Sequence, residues 1–117
     1  MKGIHYDTEG DMLVVKFTEN KTAPSSGIEL TEQIVFYYNS QTSEPLELIV
    51  HSYQRLVAFT AQQSIALTGL EQCSLNERAS ILLGLQHPSV THFITLQPDQ
   101  TVRINPVFIP SLLSAVV

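Results

Sequence analysis

Asp11-Met12-Leu13-Val14-Val15-Lys16-Phe17 and Gln33-Ile34-Val35-Phe36-Tyr37-Tyr38-Asn39 are the two stretches whose reading decides the fold of this chain. Both are dense in β-branched and aromatic residues, the side chains that suit a pleated, packed surface. Successive residues of a strand point to opposite faces, so each stretch carries two sets of side chains. One set is Leu13, Val15 and Phe17 with Ile34, Phe36 and Tyr38; the other is Met12 and Val14 with Val35 and Tyr37. Both sets are largely apolar. A sheet that is apolar front and back needs two covers, from the rest of the chain or from a second copy, since water would otherwise meet a large apolar patch.

Working outward, Asp7-Thr8-Glu9-Gly10-Asp11 is a polar, glycine-containing break after Ile4-His5-Tyr6, the pattern of a hairpin between antiparallel strands. Thr18 to Ser26, with Pro24 and two serines, reads as a loop, and Gly27-Ile28-Glu29-Leu30 leads into the third strand. After the turn material Ser40 to Ser43, Pro45-Leu46-Glu47-Leu48-Ile49-Val50-His51 reads as a fourth strand, its proline at the start, where a missing N–H is tolerated. The first half is therefore expected to be an antiparallel β-meander of about four strands.

The second half looks like covering material. From Phe59 onward the charged residues are Glu71, Glu77, Arg78, Asp99 and Arg103, while the apolar content stays high. Ser74-Leu75-Asn76-Glu77 fits a capping box, and Leu75, Ala79, Leu82 and Leu83 recur at helical spacing until His87-Pro88, so a helix is expected over 75–85 with that stripe on the sheet. Val90 to Leu96 and Thr101 to Asn105, joined through Pro98-Asp99-Gln100, predict a C-terminal hairpin. Residues 53–72 carry conflicting helical and extended signals and receive no assignment. Residues 107–117, Val-Phe-Ile-Pro-Ser-Leu-Leu-Ser-Ala-Val-Val, are too apolar for a free tail and are expected to dock on this fold or on a neighbour.

The expected class is thus α+β, in one domain of 117 residues: a meander over 1–56 and an extension over 57–117 packed on it. With 44% hydrophobic residues the chain builds a core without disulfides, and its single Cys73 makes no internal bridge, as expected of a reducing compartment. A net charge of −5 supplies no basic footprint for nucleic acid, and no apolar run reaches the roughly 18 residues of a spanning helix. The sequence is expected to be cytoplasmic, because Met1 to Asp7 lacks the continuous apolar stretch of a signal peptide.

Tyr6-Asp7, Asp11 to Val15, Gly27-Ile28-Glu29, Ile34 to Asn39 and Pro45 to Val50 together resemble the YuzE-like family of small bacterial proteins, a family without assigned function. The resemblance covers the first 56 residues and implies the meander, but no activity. It departs from the family pattern at Glu47, where a glycine is usual. Members of such families can lie beside small toxin-like genes, which makes an antitoxin-like role conceivable by resemblance alone.

Chemistry-bearing residues are scattered. His5, His51, His87 and His92 lack the paired spacing of a zinc site, although His5 and Asp7 share a strand face that His51 could approach. Asp7, Glu9 and Asp11 around Gly10 read as turn residues, since the further oxygen ligands of a calcium loop are missing. Ser25-Ser26-Gly27 and Cys73 fit no nucleophile motif, and the pairs Glu29/Glu32 and Glu44/Glu47 read as solvated charges. No catalytic, metal or cofactor residue is assigned. The expectation is a non-enzymatic protein-interaction module, acting as a homodimer. The alternative is a small-ligand or metal-binding protein, possibly an enzyme, with a pocket near His5, Tyr6 and His51.

Overall fold

The computed structural model describes residues 3–19 and 22–106. Five strands, β1 (Gly3–Asp7), β2 (Met12–Lys16), β3 (Ser25–Thr31), β4 (Ile34–Asn39) and β5 (Pro45–His51), form an antiparallel sheet in the order β1-β2-β5-β4-β3. The class is α+β, as the sequence implies. Two details differ from a four-strand meander. The run expected as one third strand is a hairpin, β3 and β4, reversed at Glu32-Gln33, where the Gln33 N–H donates to Thr31 Oγ1 at 3.1 Å. The fourth expected strand, β5, also lies between β2 and β4 and pairs antiparallel to both. β5 thereby becomes the central strand, and its Leu48 and Val50 are wholly buried.

The register settles which apolar set is covered. Val15, Leu48 and Phe36 align across β2, β5 and β4, as do Leu13, Val50 and Ile34 one row along, and all six are fully buried. This inner face is covered by the second half of the chain. The segment left unassigned by sequence contains α1 (Tyr53–Thr60), the two-residue strand β6 (Ile65–Ala66) and a 3-10 helix (Thr68–Gln72). Then follow α2 (Leu75–Leu85), α3 (Pro88–Thr91), β7 (Ile94–Leu96) and β8 (Thr101–Ile104). Strands β6, β8 and β7 make a second, three-stranded antiparallel sheet. Leu56, Leu70, Ile81, Leu85, Val90, Phe93, Ile94 and Val102 join the inner-face residues in one core.

α2 has the expected limits and capping box: Ser74 Oγ accepts from the Glu77 N–H at 3.1 Å, and Glu77 Oε1 accepts from the Ser74 N–H at 3.0 Å. Its expected apolar stripe is met only in part: Leu82 packs against the core, but the helix is turned so that its other members face outward. Ile81, Gly84 and Leu85 are buried, whereas Leu75 and Leu83 are 80% and 61% exposed and Ala79 is exposed. Ile81 and Leu85, four apart, face the core, with Gly84 against the Phe36 ring. The expected C-terminal hairpin is shorter on its first side. His87 caps a helical turn that begins at Pro88, its Nδ1 accepting from the Ser89 N–H at 3.2 Å, so residues 88–91 are helical and only Ile94 to Leu96 pair with β8. Pro at the first helical position costs no hydrogen bond and outweighs the strand propensity of Val90-Thr91. The expected docking of residues 107–117 lies outside the described residues.

The 3-10 helix closes one edge of the large sheet. A Cβ on Gly69 would lie 1.9 Å from the carbonyl oxygen of Glu29 on β3, so this approach is open to glycine alone. At the other edge lies β1.

Candidate functional site

Alternation places a second set of side chains on the outer face of the five-stranded sheet. His5, Val14, Ile49, Val35 and Glu29 form one row across all five strands. Beside it runs Gly3, Lys16, Glu47, Tyr37 and Gly27, and on the other side Asp7, Met12 and His51. The middle of the face is therefore apolar: Met12, Val14, Ile49 and Val35 are half-buried, and Tyr37 is 36% exposed. None of these five belongs to the core or packs against it. The 3-10 helix and α3, which contact β3 and β5, give their buried Leu70 and Val90 to the inner face.

Tyr37 is fixed by its cross-strand partner. Gly27 lies opposite it, and a Cβ there would come within 2.6 Å of Tyr37 Cε1, so the ring rests over the glycine backbone. An aromatic ring covering a strand glycine stiffens the pair and holds a large amphipathic side chain at one position. Around the apolar centre stand Asp7, Glu29 and Glu47 against Lys16, with His5 and His51 exposed. An apolar centre with an anchored aromatic and a charged rim is the anatomy of a protein-docking surface.

The residues proposed from sequence as a ligand pocket are not brought together. Tyr6 points into the protein while its neighbour His5 points outward, because adjacent strand residues face opposite ways. His51 is on the outer face with His5, but two strands away and one row off. Among the described residues no three of histidine, cysteine, aspartate and glutamate gather to hold a metal. His92 lies edge-on to Phe93 with ring centroids 5.4 Å apart. Cys73 is half-buried with its Sγ 3.7 Å from the Gly69 carbonyl. Asp7 Oδ1 accepts from the Glu9 N–H at 3.1 Å, the expected use of an aspartate in a turn.

Sequence reasoning passed over a polar junction at the end of the sheet. The Tyr6 hydroxyl donates to Asp11 Oδ1 at 2.6 Å, and the same carboxylate accepts from the Gln54 N–H at 3.0 and 3.2 Å, so Asp11 caps α1 from 43 residues away. Ser52, at the N-cap position itself, supplies no side-chain cap. Tyr53 packs edge-on against Tyr6, and its hydroxyl donates to the Asn105 carbonyl at 2.9 Å. Burial, then the hydrogen bond to Asp11 and the negative charges of Asp11 and Asp7, push the Tyr6 phenol up to about 12. Asp11 being in the left-handed region, φ 50°, is the local signal of its special role. The junction ties the hairpin to α1, the Tyr6 hydroxyl and the Gln54 N–H sharing the Asp11 carboxylate.

A shallow recess of about 160 Å³ lies between the 3-10 helix, α2 and the β7–β8 turn, lined by Leu67, Leu70, Glu71, Arg78, Asp99 and Thr101 among others. Arg78 Nη2 donates to the Leu70 carbonyl at 3.0 Å, while its buried Nε has no partner among the described residues. The two acids beside the single guanidinium oppose an anionic ligand. Comparison with protein-family models, curated proteins and solved structures finds no match.

Proposed function

We propose that this protein is a non-enzymatic, cytoplasmic protein-interaction module that works as a homodimer through the outer face of its five-stranded sheet. The observation that carries the reading is the cluster of Met12, Val14, Val35, Ile49 and Tyr37, part-exposed on neighbouring strands and separate from the core. The chain covers one apolar sheet face with its own second half, and a second copy meets the same need on the other. The YuzE-like resemblance of the first 56 residues is compatible with this and adds no activity. Among the described residues no helix is long and apolar enough to cross a membrane.

Light scattering at micromolar concentration tests the proposal. Twice the chain mass is expected, falling toward the monomer when Ile49→Lys and Val35→Lys place charges in the middle of the face. A monomeric wild-type chain at these concentrations contradicts the reading.

A further inference from the structure

We infer that β1 is a pairing edge for a second copy of this chain: β1 of one molecule meets β1 of another, antiparallel about a two-fold axis centred on His5, and joins two five-stranded sheets into one. This contact uses a different surface from the outer-face homodimer and does not rest on it.

The two edges of the large sheet are closed unequally. At β3 the register shifts between Glu29 and Thr31, and the 3-10 helix packs along the strand with Gly69 against the Glu29 carbonyl. A bulge and a covering segment are common means of stopping a further strand from pairing. β1 has neither. Its five residues pair with β2 in unbroken register and include no proline or lysine, and among the described residues its main neighbour is β2.

Backbone parity identifies the open groups. The Phe17 N–H donates to the Leu46 carbonyl at 2.9 Å across β2 and β5, so Phe17, Val15 and Leu13 turn their backbone groups toward β5, while Lys16, Val14 and Met12 turn theirs toward β1. Their partners Gly3, His5 and Asp7 are thereby used. The N–H and C=O of Ile4 and Tyr6 point off the edge, and among the described residues no backbone group bonds them.

Ile4 and Tyr6 stand symmetrically about His5, which is what self-pairing requires, since a two-fold contact sets one patch against itself. With His5 opposite its counterpart, Ile4 of each molecule faces Tyr6 of the other, and four backbone hydrogen bonds close. Centring the axis on Ile4 or on Tyr6 carries the other residue past the end of the partner strand. The side chains favour the same register. On the inner side Ile4 meets an aromatic ring, a stabilising cross-strand pair. On the outer side Asp7 faces Gly3, where a Cβ would have nothing within 4 Å, so the two carboxylates stay at opposite ends of the pair, about 13 Å apart.

Five-residue strands bury far less than the roughly 1,600 Å² of a standard interface, so the pairing is weak, adds little mass at micromolar concentration and is best trapped covalently. His5→Cys in a full-length Cys73→Ser chain traps it, because a residue facing itself across a non-hydrogen-bonded antiparallel pair has its counterpart Cα about 4.5 Å away, within disulfide range. Mild oxidation is expected to link His5→Cys chains roughly tenfold faster than chains carrying Gln62→Cys, an exposed site outside the sheet. Gly3→Cys and Asp7→Cys chains should link when mixed and not when alone. The His5→Cys link should survive Val35→Lys with Ile49→Lys, which breaks the outer-face contact. Far-UV circular dichroism checks folding, and Cys73→Ala replaces Cys73→Ser if that chain unfolds. His5→Cys linking no faster than Gln62→Cys overturns the edge pairing, whether the edge meets solvent or residues 107–117 of its own chain. Loss of the link with the two lysines also overturns it, since the copies then met through their outer faces. So does linking of Gly3→Cys alone as fast as in the mixture, which rejects the register. Rapid His5→Cys linking in a chain whose wild type is monomeric at micromolar concentration refutes the homodimer reading and leaves the edge pairing standing.

Discussion

Asp11 shows how much one side chain can decide. It sits at φ 50°, a conformation that an aspartate tolerates better than most residues, and uses that geometry to accept from both Tyr6 and the first turn of α1. Asp11→Ala removes the helix cap and leaves the half-enclosed Tyr6 hydroxyl without its acceptor, and is expected to cost about 2 kcal/mol in urea denaturation. Tyr6 gives a pH signature. Its phenol is raised from the ordinary 10 to about 12, so the folded state keeps the proton where the unfolded chain has lost it. The stability this contributes is complete below about pH 10 and is lost as pH rises toward 12. Tyr6→Phe should flatten the decline in stability over that window, measured as thermal midpoint against pH.

Among the elements, α2 separates what a sequence pattern can and cannot specify. Its start is written locally: Ser74 and Glu77 satisfy each other's backbone N–H groups wherever the helix ends up. Its buried side is not, because Leu75, Ala79, Leu82 and Leu83 make as good a stripe as Ile81 and Leu85 until the sheet is in place, and of that stripe only Leu82 packs against the core. Ile81→Ala should therefore cost about 2–5 kcal/mol, whereas Leu83→Gln, on the exposed side, should stay within about 0.5 kcal/mol by the same denaturation measurement. Were the stripe read from sequence the buried one, the two results would be reversed. The link between α1 and β8 is equally local in its effect: the Thr60 hydroxyl donates to Leu56 O at 2.8 Å and accepts from the Ile104 N–H at 2.9 Å. Thr60→Val keeps the shape but orphans that buried N–H, an expected loss of about 1–3 kcal/mol.

For the whole molecule, the five-stranded sheet has an inner face closed by the chain's second half and an outer face whose apolar centre stands apart from the core. That asymmetry is the basis of the dimer proposal, and it also orders the evidence within the sequence. The alternation in Met12 to Phe17 and Ile34 to Asn39 determined strand identity, the pairing of side chains into two faces and the apolar character of both, since a period of two is a local property of the chain. The turn around Gly10 and the cap at Ser74 were legible for the same reason, their hydrogen bonds closing within a few residues. Tertiary structure alone decided that β5 lies between β2 and β4 and that α1 takes its cap from Asp11. Each of these joins residues distant in sequence, and their partners are chosen by the packing of a common core rather than by any neighbour along the chain.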